Sequence, residues 1–424
     1  MKKILVTLLI LGLIGVLSYL IWNQNINKRE GQNNIGDKEE DLEKENIETK
    51  TIFPIAVGYE AKLLDLKSSS LSSIPGNPEA EVVFGESVDG KWIIVSEGKR
   101  EVAPGPSPDF FLSGWNLYRI NKETGEKLPI VTDKNVIVAV RSPKEDLIVY
   151  VTHTHGLWLV NLDGGNKRQV VQDDIVMEFN IFYESGAPMI HWSPDGKRIG
   201  FSTFPEDWNG SDMWMNAGIG FYLLDKDEFI LLTAYDLLKT IGFYSVEDKC
   251  FKDYSYLKGN PDDPIYGDLC LADYRWSEWI DTDTAFIEMG QSSNICGLTS
   301  CHLLLMYNLN EGVKSFFDFS ILQGGSSLRG IKVEGDNIYL LILNQESGES
   351  IYQDLWLIKL TKEFETIEQK KLVKDLNPGF WSRFTPDGRI IYENREGRLV
   401  IINLDGSNPI VLPEDIKLPI YFAP

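Results

Sequence analysis

The stretch His191-Trp192-Ser193-Pro194-Asp195-Gly196-Lys197-Arg198-Ile199-Gly200-Phe201 recurs near the C-terminus. There it reads Arg383-Phe384-Thr385-Pro386-Asp387-Gly388-Arg389-Ile390-Ile391-Tyr392, and a weaker copy runs Gly85-Glu86-Ser87-Val88-Asp89-Gly90-Lys91-Trp92-Ile93-Ile94. Repetition of one unit decides an architecture before any single residue suggests chemistry. Ser-Pro-Asp-Gly between apolar runs is a hairpin instruction. Pro presets a negative φ, Asp bonds nearby backbone amides, and Gly takes the left-handed conformation that strains other residues.

A second element follows. Leu157-Trp158-Leu159-Val160-Asn161-Leu162-Asp163-Gly164-Gly165-Asn166 has a near twin in Leu399-Val400-Ile401-Ile402-Asn403-Leu404-Asp405-Gly406-Ser407-Asn408. Each is an apolar strand entering an Asp-Gly turn, so each unit reads as four antiparallel strands. Six units follow, at about 81–132, 136–171, 189–233, 273–320, 328–374 and 379–412, spaced by roughly 50 residues, a propeller-blade period. An insertion over 235–272 separates the third from the fourth. Such a sheet has two apolar faces and hides neither alone, and radial stacking covers both. The expected fold class is all-β: a six-bladed β-propeller over 51–424, with seven blades as the alternative count. Ring closure is expected either from Leu418–Pro424 entering the first blade or from Thr51–Gly58 joining the last.

The pairing of a Trp-Ser-Pro-Asp-Gly-Lys turn with a later Asn-Leu-Asp-Gly-Gly-Asn turn resembles the TolB-type propeller repeat. The resemblance implies the fold and, for function, a binding platform for a protein or peptide in the cell envelope. Propellers also serve as partner domains of peptidases, so the motif specifies architecture better than activity.

Met1-Lys2-Lys3 precedes an uncharged run from Ile4 to Trp22, long enough to span a bilayer as a helix. Residues 1–22 are expected to be a single-pass transmembrane anchor, with the two lysines inside and the bulk of the chain extracytoplasmic. A cleaved signal peptide competes, but no convincing small-x-small site is present. Residues 23–50 are rich in Asn, Glu and Lys and read as a flexible linker. A net charge of −22 and a pI near 4.7 argue against a nucleic-acid partner.

The four cysteines, Cys250, Cys270, Cys296 and Cys301, lie in or just after the insertion. In an outward-facing protein an even count suggests two disulfides, with Cys250–Cys270 and Cys296–Cys301 as local pairings and free buried thiols as the alternative.

A serine hydrolase of the prolyl-oligopeptidase kind would show a Gly-x-Ser-x-Gly elbow, and none occurs. His153 and His155, two apart on an expected strand, are weak metal candidates, with blade-interface packing as the rival role. Glu247, Asp248, Asp253, Asp262, Asp263 and Asp268, followed by Asp281 and Asp283, suggest calcium or a solvated acidic loop. No cofactor is otherwise implied.

Aligning the turns puts His191, Arg275 and Arg383 at matching places, each before an aromatic residue, with Arg141 and Arg329 near the same level. First strands border the channel of a propeller, so these are the ligand-binding candidates. Several cations there would focus an anionic ligand or acidic peptide. The competing role is pairing with acidic side chains of the next blade. Trp192, Trp276, Trp158 and Trp356 read as core, whereas Trp115, Trp208 and Trp214 are loop aromatics that present a binding surface or cap blade ends. The function expected is a binding scaffold; the alternative is a hydrolase or lyase at the channel mouth, with calcium as its candidate ion.

Overall fold

Alternate residues of the run Leu340-Leu341-Ile342-Leu343 face opposite sheets, and all four are fully buried. Leu340 and Ile342 pack with Phe286, Leu304 and Phe317 on one side. Leu341 and Leu343 pack with Ile390, Tyr392 and Val400 on the other. Burying each such side chain is worth about 1.5–3 kcal/mol, so a strand of this kind is stable only between two neighbours.

The computed structural model describes residues 52–57, 59–98, 101–102, 111–176, 190–203, 218–232, 272–291, 301–318, 325–345, 352–377, 381–414 and 416. These residues hold strands and turns, with no helix among them. The Ile4–Trp22 run, the linker, most of the insertion, Cys250, Cys270 and Cys296 lie outside them, as do Trp208, Trp214 and Leu418–Pro424. Among the described residues no helix is long and apolar enough to cross a membrane.

Strands β1 (Ile52–Val57), β2 (Glu60–Asp65) and β3 (Ser70–Ser73) form a three-stranded meander. Strands β4 (Val83–Glu86) and β5 (Trp92–Glu97) follow, and β6 (Glu101–Val102) pairs with β7 (Phe111–Ser113). With β8 (Trp115–Asn121), β9 (Lys127–Arg141), β10 (Leu147–Thr152), β11 (Leu157–Asn161) and β12 (Arg168–Val171), β4 and β5 make one seven-stranded sheet. Its long β9 serves two units: Lys127–Val131 and Val136 pair with β8, and Val136–Arg141 pairs with β10. The change of partner falls at Lys134, whose φ of +51° kinks the chain and whose N–H bonds Asn116 Oδ1.

Four four-stranded meanders complete the fold. They are β13 (Ile190–Trp192), β14 (Arg198–Thr203), β15 (Gly218–Leu223) and β16 (Glu228–Leu232); then β17 (Ala272–Trp279), β18 (Thr284–Gln291), β19 (Cys301–Asn308) and β20 (Gly312–Asp318). Next come β21 (Gly325–Glu334), β22 (Asn337–Gln345), β23 (Gln353–Thr361) and β24 (Thr366–Leu376), and last β25 (Ser382–Phe384), β26 (Ile390–Glu393), β27 (Leu399–Ile402) and β28 (Ile410–Val411).

The first strands abut in turn: β1 on β4, β4 on β9, β9 on β13, β13 on β17, β17 on β21 and β21 on β25. Apolar clusters fill gaps between these sheets, and Phe221 packs against Trp279 and Tyr307 between the third and fourth units. Phe53, Ile55 and Leu64 of the first meander pack with Ile391, Leu399 and Ile401 of the last. Ala61 and Ile74 pack with Ile93 and Val95 on their other side. The sheets therefore stand in a propeller-like arrangement. Ile52–Val57 pairs with β2 within its own sheet and does not add to the last one.

Three copies of the expected turn are superposable in their bonding. Ser193 Oγ donates to Asp195 Oδ1 at 2.6 Å, and Gly196 N–H reaches Ser193 O at 2.8 Å with φ +71°. Ser87, Asp89 and Gly90 repeat these bonds, as do Thr385, Asp387 and Gly388. A Cβ on Gly196 would sit 2.8 Å from Ser142 Oγ, so this turn also lies against the preceding unit.

Candidate functional site

Strand register sets one level of the inner strands. His191 lies opposite Gly200, Glu278 opposite Phe286, and Arg383 opposite Ile391. With the strands of each unit lettered a to d in chain order, the next residue in each case, Trp192, Trp279 or Phe384, forms the last pair before the a–b turn. These three side chains come from β13, β17 and β25. His191 Nδ1 stands 3.7 Å from Glu278 Oε2. Glu278 Oε1 accepts the N–H of Trp279 at 3.0 Å.

Electrostatics bind the level together. Burial pushes the Glu278 carboxyl up to about 7, against the lowering pull of the Trp279 N–H and the positive charge of Arg383. Its side chain nevertheless keeps 40% of its surface open, compared with 15% for His191. Protein crowds the carboxyl while part of the side chain stays open to solvent. The Arg383 guanidinium also lies 5.9 Å from the ring centroid of Trp381, within cation–π range.

The level is held by hooks between sheets. Trp192 Nε1 donates to Val140 O at 3.0 Å, and Trp279 Nε1 donates to His191 O at 3.1 Å. Both indoles are buried. Below the level, Arg198 reaches Asp195 of its own turn at 3.0 Å and Asp283 of the next sheet's turn at 2.6 Å. Arg389, its counterpart in the last sheet, bonds Asp387 at 2.8 Å and Leu66 O at 2.9 Å. The arginines that follow the turns thus bridge to the neighbouring unit.

The sequence candidates distribute unevenly. His191 and Arg383 share the level. Glu278 takes the third place, and Arg275 lies three residues earlier on β17, its side chain outside the described residues. The strand runs on to Trp279, so its turn opens at Ile280, three residues later than the Arg275-Trp276 pattern implies. The Glu278-Trp279 pair carries the same signal as Arg275-Trp276, a polar residue before an aromatic one. Arg141 lies at the end of β9 one residue nearer the turn, and its NH1 bonds Ser142 O. Burial lowers its pKa, opposed by Asp146 and Glu86. Arg329 falls at the irregularity of β21 between Leu328 and Gly330.

His153 and His155 lie at the opposite end of the sheets. His155 has left the strand, with φ +58° in the turn Thr152–Gly156, so strand alternation does not align the two rings. Burial holds the His155 imidazole below its usual range, and Asp174 partly opposes this. Asp281 Oδ1 accepts the N–H groups of Asp283 and Thr284, so these acids build a turn. The other acids named for calcium lie outside the described residues. Among the described residues no group of three metal-capable side chains converges. Cys301 opens β19, and its side chain lies outside the described residues. Trp115 is a core residue, buried in β8 with its Nε1 on Glu81 Oε2 at 2.7 Å.

All the a–b and c–d hairpins lie at the end of the sheets nearest this level.

No family model and no curated protein matches the sequence. Among solved structures the chain is similar to the tricorn protease, with TM-score 0.52 and 9% identity over 88% of this chain and 34% of that one. It thus spans about a third of that protein. A manganese complex of oligogalacturonate lyase gives TM-score 0.48 and 11% identity, covering 85% of this chain and 83% of that one. A TolB-type structure from Agrobacterium tumefaciens gives 0.35 and 13%, covering 80% and 96%. At these identities the likeness is one of fold alone. The class supported is an all-β, propeller-like protein.

Proposed function

We propose that this chain is a membrane-anchored extracytoplasmic β-propeller that binds a protein or peptide segment in its channel. The observation that carries the reading is the meeting of His191, Glu278 and Arg383, from three sheets, at one level of the inner strands. Polar and charged groups brought together from separate elements are the ordinary makings of a binding site. The ring is counted as seven units: six of four strands, and β1–β3 as a three-stranded seventh between the last sheet and the first. The uncharged run Ile4–Trp22 supports the anchor, and the lysines before it support an outward-facing propeller.

One observation favours a second reading. A carboxyl that titrates near neutrality beside a histidine is also a proton-transfer pair, as a hydrolase or lyase would use. Binding is preferred because the level shows no nucleophile oriented by a base.

A photo-crosslinking residue placed at His191, and separately at Ile367 on an outer strand, tests the reading in intact cells. Ile367 is 51% exposed. The binding reading expects a discrete protein or peptide adduct from position 191 and none from 367. An adduct from 367 alone contradicts it.

A further inference from the structure

We propose that the ligand group seated among His191, Glu278 and Arg383 is a carboxylate, and that its binding takes up one proton at Glu278. The inference rests on the binding reading above and names the chemistry of the ligand.

Arg383 and His191 are donors suited to a carboxylate, the guanidinium most of all. Glu278 is the obstacle. Two carboxylates close together do not both stay ionised, and one proton shared between them removes the repulsion. The geometry leaves a place for that proton. Glu278 Oε1 is occupied by the Trp279 N–H at 3.0 Å. Oε2 is 3.7 Å from His191 Nδ1, beyond hydrogen-bond length, on a side chain that stays 40% open. Protonated there, Glu278 turns from a repelling acceptor into a third donor toward the ligand.

The elements packed against β17 are β13, β14, β15, β18 and β21. Their titratable and charged groups are His191, Arg198, Tyr222, Glu288, and Arg329 with Lys332 and Glu334. Arg198 is held by Asp195 and Asp283, Tyr222 by Asp227 and Arg168, and Lys332 by Glu334. Arg383 acts on Glu278 from β25. With the Glu278 carboxyl pushed up to about 7, the proton is available near neutrality and scarce above it.

The test uses the full-length chain and two fluorescein-labelled probes, tetraglutamate and tetralysine, read by anisotropy at pH 6, 7 and 8. Wild type is expected to bind tetraglutamate at pH 6 and to lose about tenfold in affinity per pH unit above 7, the slope of one linked proton. Glu278→Gln should bind at pH 8 as wild type does at pH 6, with no slope. Arg383→Gln should lose binding at every pH, and thermal melts show that each variant is folded. A slope that persists in Glu278→Gln but vanishes in His191→Gln overturns the inference by placing the proton on the histidine. Binding of tetralysine instead, or of neither probe while the position-191 adduct persists, overturns the carboxylate and leaves the binding reading standing. Loss of both probes and adduct overturns both.

Discussion

Trp279 donates its indole N–H to the backbone carbonyl of His191 across the gap between two sheets, at 3.1 Å. The same residue's backbone N–H holds Glu278 Oε1. One residue, through its indole and its backbone N–H, thus ties the seam between β13 and β17 to two of the three groups at the inner level. Trp192 makes the matching bond to Val140 O one unit earlier.

Trp279→Phe and Trp192→Phe each leave a buried carbonyl without its donor, which costs about 1–2 kcal/mol. Urea denaturation should show similar losses for the two. Ligand binding at the channel should fall for Trp279→Phe and hold for Trp192→Phe. Equal binding in both would separate the seam from the site.

Arg198→Met removes two charge-assisted bonds, to Asp195 and Asp283. The expected loss is about 1–2 kcal/mol, smaller in high salt because the groups are only partly buried. Asp283→Asn combined with Arg198→Met should cost much less than the sum of the singles. Additive losses in denaturant melts would show that the pair is not coupled.

Gly196 and Gly388 hold φ of +71° and +83°, so alanine at either is strained by about 1 kcal/mol or more. The neighbours then decide the order. A Cβ at 196 meets Ser142 Oγ, a short side chain that is itself bonded to the backbone of Lys144 and Glu145. A Cβ at 388 meets only the tip of Lys332, which swings away. Gly196→Ala should therefore lower the melting temperature more than Gly388→Ala. The reverse order would contradict the packing of the turn on its neighbour.

Glu278 also sets a pH dependence of stability. Its folded value of about 7 lies above its ordinary 4.5, so between these the folded state holds more protons than the unfolded chain. Its stabilising share is complete below about pH 4.5 and disappears as pH rises through about 7. Glu278→Gln should gain stability relative to wild type as pH climbs from 5 to 8. A constant difference across that range would place the carboxyl in ordinary solvent.

The turns were legible because their chemistry is local. Ser193-Pro194-Asp195-Gly196 closes the same bonds wherever it occurs. The sheet of β1–β3 was not legible as a unit. Its hairpins lack Pro-Asp-Gly and use left-handed Tyr59 and Ser69 instead, at φ +65° and +54°. Glu278 was hidden because β17 runs on to Trp279, so the turn opens three residues later than the polar-aromatic pair Arg275-Trp276 implies. The Asp281–Thr284 turn gives no Gly to mark where its strand ends. The hooks from Trp192 and Trp279 join residues far apart in the chain, so nothing in local sequence announces them.

The most direct measurement of the convergence of His191, Glu278 and Arg383 is a carbon-13 NMR titration of the Glu278 carboxyl in wild type and in Arg383→Gln. A midpoint near 7 that moves higher when the guanidinium is removed is the predicted result. A midpoint in the ordinary range around 4.5, unmoved by Arg383→Gln, would show that the three groups do not share one level of one channel.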